Sequence, residues 1–150
     1  MKVDTNVFLA SISEKKIYYF SSSKINSPEQ HYYICLKRTD NDILILSCCT
    51  SKFETISNFI EKRNLPHSTL VWIKPQLGDD DNPFTKDTYV NCNNHHTFTL
   101  VEFKIMYESN NISYSGKIDE IHYEQILIGI HASTIIEKET KDLIPLPDSL

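Results

Sequence analysis

The run Ile43–Thr50 (ILILSCCT) constrains the fold more than any other segment. Its first four residues are apolar without alternation, so the run reads as a strand covered on both faces. The turn Thr39–Asp42 (TDND) precedes it, four residues that disfavour strand interiors. Before that turn stands His31–Lys37 (HYYICLK), rich in β-formers. Two such runs across a short polar turn predict a β-hairpin. A strand buried on both sides needs a substantial core, and 150 residues are enough to build one in a single domain.

Three further strands are expected at Lys16–Phe20 (KIYYF), Thr69–Ile73 (TLVWI) and Thr88–Cys92 (TYVNC), and Ile112–Lys117 reads as a turn or short strand around Gly116. Ser51 and Glu54 stand at capping-box spacing before Phe53, Ile56, Phe59 and Ile60, with Pro66 beyond, which predicts a helix near residues 52–63. Thr99 and Glu102 repeat the spacing and predict a short helix near 100–108. A longer helix is expected from Asp119 to about Lys138, with Ile121, Gln125, Ile128, Ala132 and Ile135/Ile136 near one face and its acids at the dipole's positive end. Leu143–Leu150, with Pro145 and Pro147, reads as a non-helical end to a tail over residues 139–150. There is no regular β–α–β alternation, so a doubly wound sheet is not expected. The fold class is α+β, mainly β: a small curved antiparallel sheet or barrel with about three helices packed outside. The chain reads as one domain with its core at about 15–138.

Three glycines leave no glycine-rich phosphate loop. The formal net charge of −5 argues against coating DNA or RNA non-specifically. Residues 14–38 nevertheless carry five Lys/Arg against two acids, which leaves a local basic face open. Cys48 and Cys49 are adjacent, awkward for a disulfide framework. No signal peptide or membrane span is evident, so a cytoplasmic protein with reduced thiols is expected.

Four kinds of chemistry are open to these residue types. Cys92 and His95 give one C-x-x-H pair, but Cys48 and Cys49 point to opposite faces of a strand, so no complete metal site is expected. A thiol nucleophile needs a nearby cation to lower its pKa, and no histidine is placed beside Cys48 or Cys49. The acids Asp79, Asp80 and Asp81 read as a solvated loop. The aromatic and basic set Tyr18, Tyr19, Lys24, His31, Tyr32, Tyr33, Lys37 and Arg38 fits single-stranded RNA, whose bases stack and whose phosphates meet cations. Ordinary strand composition explains the same tyrosines. Within each of the pairs Tyr18/Tyr19 and Tyr32/Tyr33, one ring should face each way.

The layout resembles the PemK/MazF-like toxins of bacterial toxin–antitoxin systems, over about residues 15–136. Lys16–Phe20 looks like that family's opening strand, Ser27–Leu36 like its next loop and strand, and Ile43–Ser51 like the apolar strand ending in Thr-Ser. Thr97–Ile130 resembles its short helix, Gly-containing turn and closing helix. The resemblance implies an SH3-like barrel, usually a homodimer, and metal-independent cleavage of single-stranded RNA without a cofactor, neutralised by a small antitoxin. Thr50 matches the family's Thr-Ser threonine. His31-Tyr32 stands where the family has Arg-Pro, and Glu14-Lys15-Lys16 where it has Gly-Asp. On the resemblance, His31 supplies proton transfer, Thr50 holds a phosphate oxygen and Lys37 stabilises charge, since alternation puts Lys37 rather than Arg38 on the His31 face. Tyr19, Lys24, Tyr33, Ser51 and Lys52 are the expected substrate contacts. The alternative is a non-catalytic member of the fold that binds RNA or protein.

Overall fold

The computed structural model describes residues 2–22, 29–75 and 81–147. Its elements run α1 (Thr5–Ser11), β1 (Lys16–Phe20), β2 (His31–Arg38), β3 (Ile43–Thr50), α2 (Phe53–Lys62), β4 (Leu70–Ile73), β5 (Thr88–Asn91), β6 (His96–Thr99), α3 (Leu100–Glu108), β7 (Ile112–Lys117), α4 (Glu120–Ala132) and α5 (Lys138–Leu143). A short 3₁₀ turn, His67–Thr69, leads into β4. No helix among the described residues is long and apolar enough to cross a membrane.

The expected hairpin forms. Thr39 N–H reaches the Ile43 carbonyl (2.9 Å), and Asp42 takes the left-handed turn conformation at φ 59°. The sheet is antiparallel and seven-stranded, ordered β4-β5-β3-β2-β1-β7, with β6 also on β3. The apolar strand β3 organises it. Ile43–Leu46 pair with β6, while Cys49 and Thr50 pair with β5, so one strand serves two stretches of a bent sheet. Among the described residues the barrel does not close: β4 and β7 are edges that do not pair with each other. The loop after residue 80 lies against β7 instead: the Asp81 carbonyl accepts the Lys117 N–H (2.8 Å).

Both faces of the sheet are covered. One carries Ile17, Ile34, Leu36, Ile45, Cys49 and Val90 against Ile126, Leu127 and Ile130 of α4. The other carries Tyr18, Phe20, Tyr33, Cys35, Leu44 and Leu46 against Phe8 of α1 and Phe103 of α3. Burying large aromatics here is a major source of stability. Tyr18 and Tyr33 lie in this second core, while Tyr19 and Tyr32 face the other way with their rings 4.6 Å apart, as alternation requires.

The structure corrects several expectations. Five α-helices are present among the described residues rather than three. Helix α4 stops at Ala132, and a separate helix, α5, occupies the start of the 139–150 tail, ahead of the expected non-helical stretch. The α4 face named from the sequence is the wrong one: Ile121, Gln125 and Ile128 are exposed, and Tyr123, Ile126, Leu127 and Ile130 are buried. The helix is apolar almost all round, so periodicity could not choose. Buried residues extend beyond the expected core, to Phe8 and Ile12 on one side and Ile144 on the other.

Candidate functional site

The site lies at the end of the β2–β3 hairpin away from its turn. Tyr33 stands opposite Cys48 and Ile34 opposite Ser47. Continued to the strand ends, that register sets His31 against Thr50, and both are half-buried. Two clefts meet at this pair. The first, about 290 Å³, is lined by His31 and Thr50 with Tyr19, Tyr32, Phe84, Lys52 and Lys86. The second, about 330 Å³, is lined by His31, Thr50 and Cys48 with Phe59, Asn91, Asn94 and His96.

Local bonds set the chemistry of the pair. His31 Nδ1 lies 3.1 Å from the Glu29 carbonyl. A carbonyl oxygen can only accept, so Nδ1 carries the hydrogen and the neutral ring presents Nε2 as a base. Thr50 Oγ1 accepts the Lys52 N–H (3.1 Å), which leaves the hydroxyl its own hydrogen to donate. A base, a hydroxyl donor and two ammonium groups around one cleft can deprotonate a hydroxyl and meet a charged oxygen.

The other sequence-chosen residues divide. Tyr19, Ser51 and Lys52 line the first cleft. Tyr33 does not: it is fully buried, stacked on Phe20 at 4.1 Å, with its hydroxyl beside the Cys48 thiol. Lys24 lies outside the described residues. Lys37 sits towards the turn of the hairpin, 3.9 Å from a Glu14 carboxylate oxygen, and lines neither cleft. The expected alternation fails because β2 carries a bulge: Cys35 pairs with Leu46 but Lys37 with Ile45. The extra residue switches Lys37 to the opposite face from His31.

The local basic face also dissolves among the described residues. Lys15 pairs with Glu120, Lys16 Nζ donates to the Ser11 carbonyl (2.6 Å), and Arg38 holds α1 through the Leu9 and Ile12 carbonyls (2.6 and 3.2 Å) while pairing with Asp42. Sequence reasoning missed Phe84, Lys86, Asn91, Asn94 and His96. The first two follow a stretch read only as loop, and His96 opens a four-residue strand too short to announce itself.

The thiols are not activated. Burial pushes Cys35, Cys48 and Cys92 up to about 12, and Cys49 well above its ordinary value. Cys92 packs against α4, and Cys48 and Cys49 face opposite sides of the sheet. Among the described residues, no three His, Cys, Asp or Glu side chains form a group able to hold a metal ion. A third, wider groove of about 610 Å³ runs between β4 and α4, lined chiefly by Trp72, Lys74, His122 and Ile128.

No protein-family model matches the sequence, nor does any curated protein. Among solved structures the chain is similar to an endoribonuclease in complex with its cognate antitoxin from a mycobacterial species. The match covers 91% of this chain and 100% of that one, at 13% identity and a TM-score of 0.50. Identity that low shows likeness of fold alone.

Proposed function

We propose that this chain is a toxin-like endoribonuclease that cleaves single-stranded RNA without a metal ion, acts as a homodimer and is restrained by a small antitoxin. The observation that carries the reading is the His31–Thr50 pair, set on neighbouring strands as the shared wall of two clefts. Likeness to an antitoxin-bound endoribonuclease supports it at the level of fold.

In this reading His31 Nε2 takes the proton of a 2′-hydroxyl. The 2′-oxygen attacks the adjacent phosphorus, the bond to the 5′-oxygen breaks, and that oxygen leaves with a proton from solvent. The products are a 2′,3′-cyclic phosphate and a 5′-hydroxyl end. Thr50 donates to a non-bridging oxygen as charge builds, and Lys52 and Lys86 stabilise it. Those two ammonium groups take the part first given to Lys37.

The test is cleavage of a long single-stranded RNA by purified protein in EDTA. The wild type cuts, His31→Ala is slower by about 10²-fold or more, and Thr50→Ala is slowed less. Equal cutting by His31→Ala and the wild type removes His31 from the mechanism. A wild type that does not cut at high concentration leaves the second reading, a non-catalytic binding module. The exposed apolar groove beside Trp72 and Ile128, both at least 40% exposed, favours that reading.

A further inference from the structure

The two clefts that meet at His31 and Thr50 have unlike walls. One offers three rings, Tyr19, Tyr32 and Phe84, and its amide, Gln30, is an exposed side chain just ahead of β2. The other has a single aromatic ring besides its histidines, Phe59, and offers the amides of Asn91 and Asn94 and the imidazole of His96. These groups act differently on a nucleotide. A ring stacks on the face of any base, whereas an amide or imidazole meets the donors and acceptors at a base edge, where bases differ.

The backbone behind the polar wall is held in advance. Asn91 closes β5, and its Oδ1 accepts from both the N–H and the Nδ2 of Asn93 (3.0 Å each). The Asn94 N–H bonds the Asn91 carbonyl (3.3 Å). Buried Asn93 in turn accepts from buried Ser133 Oγ (2.7 Å), fastening the turn to the end of α4. His96 opens β6, with its ring edge-on to Tyr33 at 6.0 Å. A wall fixed this way loses little entropy when it binds.

Resting on the ribonuclease reading, we propose that Asn94 and His96 read the base on one side of the scissile phosphate. The Tyr19/Tyr32/Phe84 cleft stacks the base on the other side without reading it. Cleavage specificity is then one-sided.

The experiment is digestion of a random-sequence RNA pool followed by sequencing of the new ends. The wild type shows a preference of about tenfold at one flanking nucleotide and little at the other. Asn94→Ala flattens that preference. Asn94→Asp keeps the shape but replaces the amide donor with an acceptor, so it changes which base is favoured. Tyr32→Leu slows all sites alike and leaves the preference intact. An unchanged preference in both Asn94 variants and in His96→Ala overturns the proposal, as does a wild type with no preference at either flank. If the wild type leaves the pool uncut, the ribonuclease reading fails, and filter binding of the four homopolymeric RNAs judges the base reading. Equal affinity for all four overturns it, and a difference of about tenfold that Asn94→Ala abolishes upholds it.

Discussion

At Gly116 the backbone of β7 takes φ 144°, a conformation L side chains rarely adopt. A β-carbon there would stand 2.1 Å from the Asp81 carbonyl oxygen, whose partner is the next N–H along, that of Lys117. Gly116→Ala therefore combines backbone strain with a clash against main chain that cannot swing aside. It should cost about 2–4 kcal/mol. Urea denaturation would show this as a lower midpoint at unchanged slope, and a loss under about 0.5 kcal/mol would sink the argument. In the sequence Gly116 marks a turn or short strand, but not the loop that presses on it. The bulge at Leu36 is likewise silent: nothing in HYYICLK says that alternation stops there, and so Lys37 was set on the wrong face. His31 and Thr50 are chosen on the resemblance, and their nearness follows from the ends of two clear strands in one hairpin. The nearness of Asn94 and His96 does not follow from the sequence, because they meet the pair only through tertiary contact.

Elements are decided by their ends, and two capping signatures of equal spacing had different fates. At α3, Thr99 Oγ1 accepts the Glu102 N–H (3.1 Å) and Glu102 Oε1 accepts the Thr99 N–H (2.9 Å), so the box is complete. At α2, the cap position falls on Lys52, with no side-chain cap bond, and Ser51 lies one residue outside the helix. The spacing is the same in both, but the expected Ser51 cap does not form, because the helix begins one residue later, with Thr50 Oγ1 accepting the Lys52 N–H (3.1 Å). Thr99→Ala should thus lower stability by about 1 kcal/mol. Ser51→Ala should change it by less than about 0.5 kcal/mol, acting instead on KM for RNA through its place in the first cleft. Comparing thermal midpoints of the two variants decides the matter, since equal losses would mean that Ser51 caps after all. The helix missed at the N-terminus had a comparable signal, for Asp4 accepts the Asn6 N–H (3.1 Å) at the start of α1. Seven residues with one buried apolar side chain gave too little periodicity to see.

Across the whole molecule, the two cores on either side of the sheet hold the thiols: Cys35 in one, Cys49 and Cys92 in the other. Burial lifts Cys35 and Cys92 from the ordinary 9.0 to about 12. An unfolded chain sheds these protons near pH 9, while the native chain keeps them to about pH 12. Over that interval the native state binds more protons, so stability falls as pH rises. It is fully present below the unfolded value and disappears on the way to the folded one. The limiting slope is about 1.4 kcal/mol per pH unit for each thiol. Tyr18, Tyr33 and Tyr123 are also pushed up by burial and act in the same sense above the ordinary 10.0. The urea midpoint should therefore hold steady from neutrality to about pH 8 and drop steeply by about pH 10. Replacing Cys92 by alanine should lower the midpoint at neutral pH yet make the alkaline fall shallower, because one of the titrating groups is gone. A midpoint flat through pH 10, or a fall as steep without Cys92, would show that the thiols ionise as readily in the folded chain as in the unfolded one. The same proton retention bears on the proposed reaction: thiols held neutral inside both cores take no part in it, and the proposal rests on His31, Lys52 and Lys86 of the first cleft.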